Sequence, residues 1–425
     1  MSDDGVEVTI AVETTATVVG CPGCGSRARA KDRRWVTLRD APLPDRAVRL
    51  RWRKRIWSCP ESACEVRTWT EQHDLAEPRR VLTRRAARWA AGRVAAVEAT
   101  PASLARGFGL SWSTAWTAVR RLGQAAVEDP ACVGPVTMIG FDETVLSPES
   151  RRRRRRFVTA VVDVETSQIL DVFEGRDAKD LRAWMARQPK ARLAGVEVVS
   201  VDPHEGYRSA ILAPNPDTNT PSPLAEVTVV VDPFHIVRLA NAAVTKTRRR
   251  VQQETLGHRG WAGDPLYRVR KLLLLGAERL DEKAWERLHD ALAAGDPDDA
   301  VSDAWTAKKK VRDIYRTDDP AEAARIINEL LDWSDHSTTA RAELATLAKT
   351  IRRWRTEILA HHSTGASNGP VEAANLIIKQ VKRSGRGFRN PANYRLRILL
   401  AGGQNPTCKT QPVTSIRTRR PRLVA

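Results

Sequence analysis

Three carboxylates sit in distinctive local sequences: Asp142 in Ile139-Gly-Phe-Asp-Glu143, Asp202 in Val198-Val-Ser-Val-Asp202 and Glu372 in Ser367-Asn-Gly-Pro-Val-Glu372. Carboxylate oxygens suit hard divalent cations, and three of them can hold a pair of such ions for phosphodiester chemistry. The intervals between them are long, so only tertiary structure could gather them. Asp202 has a rival in Asp232, which also ends a predicted strand, in Asp232-Pro-Phe-His235. With strand order 3-2-1-4-5, the fourth strand lies beside the first at about 4.8 Å and the fifth roughly twice as far. That geometry favours Asp202 and leaves Asp232 and His235 as a supporting pair, the carboxylate orienting an imidazole that is available to a phosphate. The alternative for His235 is a simple cap of the helix that follows.

The elements that must position these acids follow from periodicity. Val136–Asp142, Phe157–Val164, Gln168–Phe173, Val196–Asp202 and Glu226–Val231 read as strands, and Ala178–Arg187, Glu205–Leu212 and Phe234–Gln253 as helices. The order βββαβαβα is that of a ribonuclease-H-like α/β fold. Residues 260 to 361 are helical in pattern and form an all-helical insertion between the second and third acids. The third acid opens a helix with Gly369 as cap and Pro370 first, where a carboxylate can serve merely as a capping group. On that helix Glu372, Asn375, Lys379, Lys382 and Arg383 share one face, while Ala374, Ile377, Ile378 and Val381 share the other. A capping role alone gives no reason for the cations beside Glu372.

Four of the six cysteines form two pairs near the N-terminus, Cys21-Pro-Gly-Cys24 and Cys59-Pro-Glu-Ser-Ala-Cys64. Trp35–Leu38 and Val48–Ile56 alternate between them as strands, which predicts a zinc ribbon holding one structural Zn²⁺. Ordinary buried cysteines are the alternative. Cys132 and Cys408 stand alone. From Glu77 to Gln124 the pattern is helical: Arg79–Val97, then Pro101–Leu110 ending in a tight turn, then a helix capped by Ser111. This is a helix-turn-helix pattern that offers Ser113, Thr114, Thr117, Arg120 and Arg121 to DNA.

The chain has 425 residues, with 70 Lys and Arg against 51 Asp and Glu, a net charge of +19. Clusters at Arg151–Arg156, Lys246–Arg250 (Arg248 and Arg249 among them) and Lys379–Arg389 favour a polyanionic partner. No apolar run approaches membrane-spanning length and the acidic start lacks the basic region of a signal peptide, so a cytoplasmic location and no membrane partner are expected. The expected organisation is a ribbon (1–75), a helix-turn-helix domain (76–130), a catalytic core in two parts (131–255 and 363–402) split by the helical insertion (256–362), and a basic, disordered tail (403–425).

From about Cys21 to Leu400 the chain resembles the transposases of the bacterial insertion-sequence family ISL-three, which are DDE enzymes. The resemblance rests on the cysteine pairs, Ile139–Glu143, Val162-Asp-Val-Glu-Thr166, Glu174-Gly-Arg176 and Asp232–His235. It rests above all on Ser367–Glu372 with Asn375, Ile378-Lys-Gln-Val-Lys-Arg383, Gly387-Phe-Arg-Asn390 and Arg395–Leu400. Ala373 and Ala374 depart from the Glu/Ala-Gly that often precedes the Asn, as does the run of six arginines after the first acid, but no expected metal ligand is lost. The resemblance implies Asp142, Asp202 and Glu372 as the catalytic triad, and DNA transposition as the activity. Two-metal chemistry then requires two Mg²⁺ or Mn²⁺ ions. The partners implied are double-stranded DNA, as terminal inverted repeats and as target, and a homodimer or larger assembly that holds two ends. A ribonuclease-H-like structure-specific nuclease and a domesticated DNA-binding regulator are the rival readings.

Overall fold

The computed structural model describes residues 1–15, 18–44, 46–129, 134–149, 154–336 and 342–403. Cys132, Cys408, Arg151–Arg153 and the basic tail beyond residue 403 lie outside them. The chain is mixed α/β and divides into two compact units, one of residues 1–134 and 377–425, the other of residues 135–376.

In the first unit a five-stranded sheet comes before any helix. Strands β1 (Ser2–Asp3), β2 (Glu7–Val12), β4 (Ala47–Ser58) and β3 (Arg29–Asp40) lie in that order, with β5 (Thr68–Thr70) paired to β4. The β3–β4 hairpin was expected from its alternation, though both strands run longer than predicted. The pairing of β2 parallel to β4, residues far apart in sequence, was not foreseen. Leu38, Val48, Leu50, Trp52 and Ala76 form the core of this layer. Helices α1 (Arg84–Ala95), α2 (Pro101–Phe108) and α3 (Trp112–Val127) follow. Thr83, Thr100 and Ser111 cap them by accepting bonds from Ala86, Ser103 and Thr114 amides, and Gly109 at φ +64° turns the chain between α2 and α3. Leu104, Phe108, Trp116 and Val119 pack with α1 and with Leu396 and Leu400 of the last helix, α15 (Pro391–Gly402). Gly123 is where that contact is tightest: a Cβ there would meet Leu400 Cδ1 at 2.9 Å.

The second unit is built on the sheet β10–β9–β6–β7–β8. Its strands are β6 (Met138–Ser147), β7 (Arg156–Asp163), β8 (Ile169–Glu174), β9 (Val198–Val201) and β10 (Thr228–Val231). The first three form an antiparallel meander, and β9 and β10 add in parallel on the other side of β6. The fourth strand therefore neighbours the first, in the order 3-2-1-4-5 on which the choice of Asp202 over Asp232 was conditioned. Phe141, on one face of β6, packs edge-on against Trp184 of α4 (Ala178–Ala186) and beside Tyr207 of α6 (Glu205–Leu212). On the other face Gly140 admits the start of α14 (Gly369–Ser384), where a Cβ would lie 2.4 Å from Val371 Cγ2. A short helix α5 (Lys190–Leu193) precedes β9, and the long α7 (Pro233–Leu256) follows β10.

Residues 265–364 are helical, as expected: α8 (Pro265–Arg268), α9 (Glu282–Gly295), α10 (Ala300–Ile314), α11 (Pro320–His336), α12 (Ala342–Arg353) and α13 (Arg355–Thr364), with two 3₁₀ turns. They share one apolar core with α7, through Val244, Val301, Val311, Ile327, Leu347 and Ile351. No helix among the described residues is long and apolar enough to cross a membrane.

Candidate active site

Asp142 does not end its strand, as the alternation had suggested. β6 continues to Ser147 because β7 stays paired with it, whereas β9 pairs with it only over Met138–Gly140. From Phe141 onward one edge of β6 is left open beside the end of β9, where Asp202 follows Val201. Asp142 and Glu143 are neighbours on the strand and so leave it toward opposite faces. Asp142, Glu143 and Asp202 each place a carboxylate oxygen within 4.8 Å of the others. Burial and the neighbouring Asp202 charge push Asp142 up to about 7, and the same two causes raise Glu143. Such crowding favours either a proton or a cation, and an all-oxygen donor set suits a hard divalent ion.

His235 holds Asp202 in place. Its Nε2 lies 2.8 Å from Asp202 Oδ2 and its Nδ1 2.8 Å from Asp232 Oδ2. Burial pulls the imidazole pKa down, but the bonds to Asp202 and Asp232 outweigh it and lift the ring to about 9. Asp232 is thus behind Asp202 and outside the acidic group. The imidazole is oriented by Asp232 as the sequence suggested, but its other nitrogen, expected to face a phosphate, faces Asp202. Nor does His235 cap the helix, since Asp232 holds that position.

The start of α14 closes the site. Asn375, expected on a polar face with Glu372, is buried: its Nδ2 donates to Asp142 Oδ2, and its Oδ1 accepts from Thr144 Oγ1 at 2.7 Å. Asn368, only 1% exposed, donates its backbone N–H to Asp232 Oδ1 at 3.1 Å and its Nδ2 to Asp202 Oδ1 at 3.5 Å. Its carbonyl accepts from the Glu372 amide, so the helix starts at Gly369, one residue earlier than predicted. Glu372 lies in the first turn, exposed, and outside the group formed by Asp142, Glu143 and Asp202. Glu143 and Asn368 were missed as site residues. Adjacency to Asp142 was the signal for one and the Ser367–Glu372 motif for the other.

The second metal-type group among the described residues is the cysteine quartet. Sγ atoms of Cys21 and Cys64 are 3.7 Å apart, those of Cys24 and Cys59 3.5 Å, and all four lie within 4.8 Å. Around the first pair the chain makes a tight knuckle, with Gly25 N–H donating to Cys21 O, Gly23 N–H to Cys21 Sγ, and Gly25 at φ +78°. Ser26 pulls the Cys24 thiol down to about 6, while desolvation and the neighbouring sulfurs push Cys59 up to about 12. Four thiols this close cannot all ionise without a cation among them, and four sulfurs match a closed tetrahedral site.

The expected DNA-facing residues fare unequally. Ser113, Thr114, Thr117 and Arg121 line a cleft of about 590 Å³ with Arg79, Arg80, Arg84 and Arg88. Arg120 is exposed, and Arg121 is exposed but ion-paired to Glu77. Arg249 is exposed on α7, but Arg248 is not available: it is 5% exposed, bonded to Gln252 and the Arg259 carbonyl, with its guanidinium over the Tyr267 ring. Adjacency in sequence placed both arginines in one basic cluster, and the helix turns them to different sides. On α14 Lys379 and Arg383 are exposed and Lys382 half-buried. Of the arginine run, Arg156 makes a two-pronged pair with Glu174, at 2.7 and 2.8 Å.

Comparison with known proteins gives this geometry a family. A model described as a transposase, of the ISL-three group, matches residues 139–398, more than half of the chain. A second, described as the zinc-finger of transposases IS204/IS1001/IS1096/IS1165, matches residues 17–64. The transposase for insertion sequence element IS1001 of Bordetella parapertussis is 26% identical over 403 residues, which cover 94% of this chain and 92% of that protein. The transposase for insertion sequence element IS1557 of Mycobacterium tuberculosis is 26% identical over 316 residues, 70% of this chain and 67% of that one. The cysteine knuckles and the acids of β6 and β9 both fall inside the matched segments, and the chain belongs to the ISL-three family of transposases.

Proposed function

We propose that the chain cuts DNA at the ends of an insertion sequence and joins the freed 3′ ends to target DNA, using a ribonuclease-H-like sheet and DDE carboxylates. The observation that carries this reading is the meeting of Asp142 and Asp202 at the open edge between the parallel strands β6 and β9. Asp142, Asp202 and Glu372 are the residues that would hold divalent cations, Mg²⁺ or Mn²⁺. Bound there, such ions supply Lewis-acid charge to the attacking and leaving oxygens of an in-line displacement.

The protein's own part is to keep the ligands oriented. Asn375 fixes one oxygen of Asp142, and His235 fixes one of Asp202 with Asp232 behind it. Glu372 lies one turn before Asn375, at the spacing that puts two residues on one helix side. That placement supports it as the third ligand, with Glu143 as its competitor. No covalent protein–DNA intermediate is needed, because the freed 3′-hydroxyl is itself the second nucleophile. The cysteine quartet would hold one structural Zn²⁺. The ribbon and the α2–turn–α3 unit would read the element ends, while exposed cations such as Arg249, Lys379 and Arg383 hold phosphates without regard to sequence. Two ends must be joined in concert, which calls for a dimer or larger assembly.

The test is a joining assay with the full chain, Mg²⁺, DNA carrying the inverted repeats that flank the gene, and a plasmid target. Covalent end-to-plasmid products, lost in Asp142→Asn, are expected. Cutting without joining would instead indicate a structure-specific nuclease, and specific binding without cutting a regulator. Parallel Glu372→Gln and Glu143→Gln variants decide the third ligand: whichever abolishes cleavage is the one.

A further inference from the structure

The loop after α7 presents an aromatic ring to solvent in a way that packing does not explain. Trp261 is 69% exposed, and its indole lies flat on the His258 imidazole, with centroids 4.2 Å apart and planes 5° from parallel. The loop that carries it is rigidly built. Asp264 Oδ2 accepts from the Trp261 amide at 2.6 Å and from Gln252 Nε2 at 3.2 Å, and His258 Nδ1 accepts from the Gly260 amide at 3.2 Å. Gly260 sits at φ +116° against Gln252 and Tyr267, where any Cβ would lie within 2.8 Å of both. An exposed tryptophan on a mobile loop could be incidental. One stacked on a histidine, in a loop fixed by Asp264, His258 and a required glycine, is positioned.

A cationic track precedes the ring along the chain. Lys246, Arg249, Arg250 and Gln253 recur at helical spacing along one side of α7 and line an open groove together with Glu254 and Arg259. Arg250 is committed to Glu254 and Glu343, but Lys246, Arg249 and Arg259 are exposed and make no ion pair among the described residues. Arg259 is two residues from Trp261. Cations spaced along a groove fit consecutive phosphates, and a flat exposed ring two residues beyond the groove's Arg259 fits a base face. A fully paired duplex keeps its base faces stacked on one another and cannot use the ring.

We propose that Trp261, with Lys246, Arg249 and Arg259, forms a binding site for an unpaired nucleotide of the DNA substrate, the base stacking on the indole and its phosphates lying in the α7 groove. The inference rests on the proposed action on DNA and adds a requirement for locally unpaired DNA.

The test uses the full chain without divalent metal, at fixed salt near 0.15 M. Fluorescence anisotropy would compare a labelled paired duplex with the same duplex carrying one extrahelical adenine. The expected result is tighter binding of the adenine-bulged probe by the native protein. Trp261→Ala should lose about ten-fold on that probe and little on the paired one, and Trp261→Phe should keep most of the preference. Lys246→Gln with Arg249→Gln should weaken both probes and flatten the salt dependence. Equal losses on both probes in Trp261→Ala, or none on either, overturn the proposal. So does a preference left unchanged while sedimentation shows a smaller assembly, which would make Trp261 a contact between copies of the chain. If the native chain binds neither probe, the action on DNA fails, and the site with it.

Discussion

The cysteine quartet and the acidic group are both clusters of metal-type ligands within 4.8 Å, yet they are assembled in opposite ways. The cysteines come from two short turns at one end of a hairpin whose strands are consecutive in sequence. The acids come from β6, the end of β9 and, through its asparagines, α14, gathered by sheet order and by a helix more than two hundred residues away. Two turns that bring four sulfurs together should depend on an ion between them to stay closed. A site framed by a buried sheet should keep its shape and lose only chemistry when a ligand is removed.

Removing the ribbon's ion is the largest expected effect. Structural zinc contributes about 10–16 kcal/mol of apparent binding energy in small fingers. Cys21→Ser with Cys64→Ser should therefore eliminate bound zinc by elemental analysis and expose residues 1–75 to limited proteolysis, with the sheet of the second unit still protected. A ribbon equally resistant without zinc would break the comparison. For the acids, Asp202→Asn should lower metal-dependent cleavage by about 10³-fold, a loss of several kcal/mol of charge stabilisation, with an unchanged melting temperature. Asp232→Asn should slow cleavage while leaving the Mg²⁺ titration midpoint largely intact. If the midpoint shifts for Asp232→Asn and not for Asp202→Asn, the two aspartates exchange roles.

Smaller effects test how α14 is seated. Gly140→Ala places a methyl against Val371 and should cost about 1–3 kcal/mol by overpacking, read as a lower unfolding midpoint. Val371→Ala in the same chain should recover much of it, and failure to do so would mean that the close approach of α14 to β6 is not what Gly140 serves. Asn368→Ala removes a hydrogen bond to Asp202 worth about 0.5–1.5 kcal/mol. A several-fold loss of cleavage is expected, with weaker Mn²⁺ binding by calorimetry, whereas an effect on stability alone would make Asn368 purely structural.

Much of this was legible in the sequence where the determinant is local. The Ser111 cap, the tight turn before it, the cysteine knuckles and the strand alternation of the second sheet each depend on residues a few positions apart. The strand order that favours Asp202 over Asp232 was a condition borrowed from the ribonuclease-H-like fold that the βββαβαβα succession suggested, and the sheet has that order. What could not be read was how far β6 runs. Its end is decided by pairing with β7 across the sheet, so Asp142 was placed at a strand terminus and Glu143 was left out of the site.

The sequence by itself determined which residue types exist to do chemistry and which side of each element they occupy, because propensity, capping and periodicity act over one or two turns. Only the tertiary structure decided which of them are free to act. Arg248 and Arg249 are adjacent cations, but one is buried under Tyr267 and the other faces solvent. His235 has two nitrogens, and both are occupied by aspartates from different strand ends. Asn375 lies on the polar side of its helix and is nevertheless buried against Asp142. A helical or strand period fixes the direction a side chain leaves the backbone, whereas the surface it meets comes from distant chain segments whose packing no local pattern encodes.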